Sequence, residues 1–229
     1  MTTTVVGCVH VLVRVWLPDR PGALGLVASR IGAIGGDIVG VDVLERSGAV
    51  AVDEFAVELP DADLLPLLVR EIEEVDGASV EELRQVDAFP DPRLDALGSA
   101  IRLCAADDPT QLCWRLTDQT CTEFLADWSV LLDRSEIVAL AGDAPSLDQL
   151  EALAAGTAAS PLVASGEAGP DDLAVATIPE RGLTLLVGRA GHPFRLRERA
   201  QLLALARVAG HAWDLLEHRP PARRNAQGS

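Results

Sequence analysis

A stretch of strict alternation near the start of the chain constrains the fold more than any other feature. Val9, Val11, Val13, Val15 and Leu17 fall on one side of an extended segment, and His10, Leu12, Arg14 and Trp16 on the other. Period two with β-branched residues predicts a strand. Pro18-Asp19-Arg20-Pro21-Gly22 breaks it, and Leu24, Val27, Ala28, Ile31 and Ile34 then recur at helical spacing until Gly32, Gly35 and Gly36 end the helix.

The pattern continues in the same alternating style. Asp37 to Arg46 reads as a second strand and Val50 to Leu59 as a third, and the short connection after Ser47-Gly48 makes them a hairpin. Pro60-Asp61 opens a second helix with Leu64, Leu65, Leu68, Ile72 and Val75 inward, Asp76-Gly77 closes it, and Ser79 to Val86 is a last strand. The order β-α-β-β-α-β predicts a ferredoxin-like α+β domain, with both helices on one face of an antiparallel sheet. Leu12 and Trp16 project from the opposite face, which is expected to be covered by a second copy or by the rest of the chain.

Ala88-Phe89-Pro90-Asp91-Pro92 reads as a linker. Beyond it, a helix with Leu94, Leu97, Ile101, Leu103 and Cys104 is followed by another after Asp108-Pro109, with Pro109 suited to the first turn. Strands are expected at Trp128 to Asp133 and Glu136 to Leu140, a helix near Leu147 to Leu153, and a Gly/Ala/Ser-rich stretch from Gly156 to Gly169. Strands at Leu173 to Ile178 and Leu183 to Arg189 precede a long amphipathic helix from about Arg195 to Glu217. The expected organisation is a first domain over residues 1–88, a linker over 89–93, a mixed α/β domain over 94–218 and a disordered tail over 219–229.

Composition narrows the function. All basic residues are arginine, and the chain has neither lysine nor tyrosine. That excludes Schiff-base, P-loop and kinase lysine chemistry. A formal charge of −16 argues against nucleic acid, which demands a basic stripe. No apolar run is long enough to span a bilayer, and Met1-Thr2-Thr3-Thr4 lacks the basic start of a secretory signal, so no membrane partner and a cytoplasmic location are expected. Cys8, Cys104, Cys113 and Cys121 form no zinc-type spacing. His211, Asp214 and His218 share one helix stripe, read as a solvated face in preference to a metal site. No catalytic set is assignable, and neither a cofactor nor a metal is expected.

The turn after the first strand offers binding chemistry. Pro21 fixes φ near the helical value and Gly22 permits close approach to the backbone. The first helical amides, around Gly22 to Leu24, have no intrahelical partners and favour an anion. Asp37, opening the next strand, is placed as a receiver for an ammonium group, and the two together would suit an α-amino acid. The structural alternative has Asp19 capping the helix and Asp37 a strand end.

The segment Asp19-Arg20-Pro21-Gly22-Ala23-Leu24-Gly25, its helix, and Gly35-Gly36-Asp37-Ile38 resemble the ACT domain family of regulatory modules over roughly residues 9–87. The resemblance implies effector binding, commonly of amino acids at an interface between copies or domains. It implies Asp19, Arg20, Pro21, Gly22, Ala23, Leu24, Asp37 and Ile38 as the site. Family members typically carry Asn at the position of Asp37, and some at that of Asp19. Leu17 stands where one branch presents a histidine. Two aspartates remove donors and make the site more negative, which turns the expectation toward a cationic or otherwise altered ligand, or toward none.

The second half is similar to GAF-type sensor domains through Leu183-Thr184-Leu185-Leu186-Val187-Gly188, His192-Pro193-Phe194, and the helix from Glu198 to Ala212. The leading expectation is a non-catalytic sensor of a small-molecule effector, homodimeric, acting on a protein partner. The alternatives are a dimerisation protein whose ligand sites have decayed, and an enzyme with a site in the second half around His192.

Overall fold

In the computed structural model, which describes residues 8–165 and 169–218, the chain divides into two compact units. One ends at Asp91, with Arg195–Arg197 grouped with it, and the other comprises Pro92–Phe194 and the chain from Glu198. The expected tail, 219–229, lies outside the described residues, as do 166–168 of the Gly/Ala/Ser-rich stretch. Among the described residues no helix is long and apolar enough to cross a membrane.

The first unit runs β1 (Val9–Pro18), α1 (Ala23–Ala33), β2 (Asp37–Ser47), β3 (Val50–Leu59), a 3-10 turn (Ala62–Leu64), α2 (Leu65–Glu73) and β4 (Ser79–Val86). The sheet order is β2-β3-β1-β4, and every pairing is antiparallel. This is the split β-α-β arrangement that the alternation implies. Register places Val11 opposite Val57, Val13 opposite Phe55 and Val15 opposite Asp53. The inner row of β1 packs with Phe55, Val57 and Leu59 against Val27 and Ile31 of α1 and Leu68 and Ile72 of α2, all fully or nearly fully buried.

The opposite face of the same sheet is polar as well as apolar. Arg14, buried, donates to Glu54 at 3.1 Å and lies 3.9 Å from Glu82. The indole N–H of half-buried Trp16 donates to Glu81 at 3.0 Å. Leu12 is buried in this row.

The second unit carries α3 (Pro92–Cys104), α4 (Pro109–Glu123), β5 (Trp128–Asp133), β6 (Glu136–Gly142), α5 (Leu147–Ala158), α6 (Pro161–Ala164), β7 (Leu173–Ile178), β8 (Leu183–Gly188) and α7 (Leu196–Glu217). Its sheet, ordered β6-β5-β8-β7, is also wholly antiparallel. Leu131, Leu185 and Val187 share a core with Leu112 and Leu116 of α4 and Leu202 and Leu205 of α7. Val130, Leu132 and Leu186, of opposite parity, pack with Leu150 of α5. Asp108 accepts from the Gln111 amide at 2.8 Å, so it caps α4 just before Pro109.

Three local expectations change. Pro92 begins α3, so the last linker residues are helical. The stripe Leu94, Leu97 and Ile101 is exposed (65%, 62% and 68%) rather than packed. The face turned inward carries Leu103 and Ser99, whose hydroxyl donates to Glu123 of α4 at 2.6 Å. That bond fixes the helix about its axis against its apolar stripe. Finally, α5 continues through Gly156, where Ala154, Ala155 and Ala158 supply strong helix propensity.

Phe55 is the largest fully buried side chain of the first unit. Phe55→Ala is expected to cost about 3–5 kcal/mol by lost burial and a residual cavity, read as a lowered denaturant midpoint in far-UV circular dichroism.

Candidate functional site

The β1–α1 connection is built from backbone constraints. The Asp19 amide donates to the Ala49 carbonyl at 2.8 Å, tying the turn to the β2–β3 hairpin. Gly22 has φ +90°, the left-handed region that favours glycine, and stands at the N-cap of α1 with no side-chain cap. Asp19 therefore does not cap the helix. Its carboxylate accepts instead from Arg46 of β2 at 2.6 Å. Exposed Arg20 lies 3.9 Å from Asp76.

A cavity of about 110 Å³ lies at this turn. Leu17, Pro18, Ala23, Leu24, Val43 and Ala51 supply apolar surface, and Asp19, Arg20, Arg46 and Asp53 its polar groups. Leu24, expected on the buried stripe of α1, is 40% exposed and forms part of this wall.

Asp53 is the unforeseen member. It sits on β3 between Val15 of β1 and Val43 of β2, in the row that continues as Phe55, Val57 and Leu59. Only 4% of it is exposed, and its Oδ1 finds no hydrogen-bond partner among the described residues. Burial pushes its carboxyl above the usual range; Arg46 pulls it down, and Asp19 adds to the rise. The sequence signal was available. Extending the alternation of β3 inward from Phe55 lands on an acid.

The other expected residues divide into two groups. Asp19, Arg20, Ala23 and Leu24 line the cavity, while Pro21 and Gly22 shape the turn without lining it. Asp37 and Ile38 stand elsewhere within the unit. Asp37 pairs with Glu58, which in turn faces His10 near the start of β1. It lies six residues along β2 from Val43, about 20 Å at ~3.3 Å per residue. The reason is geometric. The 11 residues of α1 carry the chain roughly 16 Å across the sheet, so the turn before the helix and the start of the strand after it occupy opposite ends.

In the second unit, His192 is exposed, and its carbonyl accepts from the buried Arg189 side chain at 2.8 Å. Arg189 also donates to the carbonyls of Phe124 and Pro193 and to Glu198, a clamp that holds this segment together. Burial pushes the Cys113 thiol up to about 11, leaving it protonated and poorly nucleophilic. Asp214 is held by Arg181. Among the described residues no three His, Cys, Asp or Glu side chains are grouped to hold a metal.

Asp53 sets a pH dependence. A folded-state carboxyl with a raised pKa contributes stability that is full below the unfolded value of 3.8 and is lost as pH rises through the folded one. Asp53→Asn, which mimics the protonated acid, is expected to match the wild type at low pH and to exceed it in stability at neutral pH. Denaturant midpoints measured across the pH range check the divergence.

No family model matches the chain, and no curated protein matches it. Among solved structures it is similar to the ACT domain of a GTP pyrophosphokinase from Chlorobium tepidum, at 12% identity over 36% of this chain and 90% of that one, with a TM-score of 0.28. It is also similar to an unknown protein from Galdieria sulphuraria (16%, covering 90% and 94%, TM-score 0.33). A third is the ligand-free regulatory subunit of aspartate kinase from Thermus thermophilus (14%, covering 92% and 99%, TM-score 0.27).

Proposed function

We propose that this chain is a non-catalytic regulatory protein whose first unit binds a small amino-acid-like effector at the β1–α1 turn. The observation that carries the reading is the cavity at an uncapped helix start, lined by Arg20 and Arg46 and by Asp53 of the sheet. The Ala23 amide donates to the Arg20 carbonyl at 3.2 Å, and the rest of the first turn of α1 favours a carboxylate, while the apolar wall suits a short side chain. In this reading residues 1–88 form the sensing module, 89–93 the linker and 94–218 a GAF-like module that relays the bound state to a protein partner.

The working form is a homodimer. β2 is an edge strand with Val39, Val41 and Val43 exposed, a surface open to strand pairing. Antiparallel pairing of two β2 strands about a two-fold at Asp42 sets Asp37 of one copy opposite Ser47 of the other. Asp37 and Ile38 then join the site from across the interface, beside Arg46. Val41→Lys is expected to shift the protein toward monomer, measured by sedimentation velocity.

Thermal-shift titration against the twenty L-amino acids tests the effector reading. At a free concentration of a hundredfold Kd, a true effector stabilises by about 2.7 kcal/mol, a rise in Tm that keeps growing with the logarithm of concentration. A flat response to all twenty defeats the reading.

A further inference from the structure

Beyond the amino-acid reading, on which it rests in part, one buried group assigns the chemistry of the ligand. A carboxylate that stands between two valines in a core row is costly to ionise unless it meets a positive charge or several donors. The nearby cation is shared: Arg46 eases the ionisation of Asp53, but its hydrogen bond at 2.6 Å goes to Asp19. Asp53 Oδ1 has no hydrogen-bond partner among the described residues, and the side chain lines the cavity. A divalent metal fits poorly, because a guanidinium sits among the acids.

We infer that Asp53 is the ammonium receiver of this cavity: the site takes a small ligand bearing a protonated primary amine, with the amine on Asp53 and any carboxylate at the first turn of α1. An ammonium brings donors and charge to the one place in the unit where, among the described residues, an acid lies buried within the sheet. The chain keeps an acid where an apolar residue would pack better, and discrimination follows from that. A ligand lacking the amine leaves Asp53 buried and unpaired, a penalty that makes polar sites reject analogues strongly.

The test uses the full chain with three sets of probes: the twenty L-amino acids, the deaminated carboxylates propanoate and 3-methylbutanoate, and the amines ethylammonium and isobutylammonium. Binding is measured by calorimetry to the wild type, Asp53→Asn, Asp53→Ser and the exposed control Glu73→Gln. Ammonium-bearing probes should bind the wild type and Glu73→Gln alike. They should weaken about ten- to a hundredfold on both Asp53 variants, the worth of a hydrogen bond to a charged group.

Amino-acid binding undiminished in the Asp53 variants overturns the inference and leaves the effector reading intact. Carboxylates binding the wild type as tightly as amino acids overturn it without reference to any variant. Amines that bind through Asp53 while no amino acid does support the inference and defeat the effector reading. Failure of every ammonium-bearing probe overturns both.

Discussion

The first unit depends on the inner row of β1. This strand is central, with β3 on one side and β4 on the other, so its register is inherited by both neighbours. Val11, Val13, Val15 and Leu17 are buried beneath α1 and α2. A slip of one residue would turn Leu12 and Arg14 into the core and expose four branched side chains. Arg14 makes that alternative worse, because its guanidinium would leave Glu54 and Glu82 for an apolar layer. Apolar and charged residues on the same strand therefore specify one pairing together.

That constraint explains why Asp53 is tolerated. The pairing that aligns Phe55 with Val13 must also align Asp53 with Val15, and the acid cannot rotate to the other face without breaking the pleat. It lies toward the turn end of the sheet, beside an ion pair and a cavity, rather than under the middle of either helix. The core is continuous from Leu59 to Phe55 and gives way where α1 begins. The place where packing consistency fails is the place where the chain has a cavity.

The fold of the first unit was legible because each level of the sequence agrees with the next. Alternation on β1, the Pro21-Gly22 break and the Leu68/Ile72 repeat each predict one element, and those elements permit essentially one layer arrangement. The site was legible only in part. Asp19, Arg20, Ala23 and Leu24 are contiguous, so a local motif contains them. Asp53 comes from a different strand, and only the register brings it there. Within one copy Asp37 stands at the far end of β2 from the cavity, because nearness in sequence ignores the length of the intervening helix. In the second unit, α3 shows how a side-chain bond overrides periodicity: Ser99 on Glu123 turns an apolar stripe outward, and no spacing rule anticipates that choice.

The position of Asp53 couples ligand chemistry to architecture. It belongs to β3, and one of its two neighbours is Val43 of the edge strand β2, which also carries Arg46 toward the cavity. A charge neutralised at Asp53 changes the energetics of the strand next to the edge. An edge that pairs with a second copy is sensitive to the geometry of that strand. If pairing alters the affinity of the cavity by some factor, binding must alter pairing by the same factor. Regulation in such a unit needs no moving lid. It needs one misplaced carboxylate, whose cost depends on what the cavity holds, and an edge close enough to register the difference.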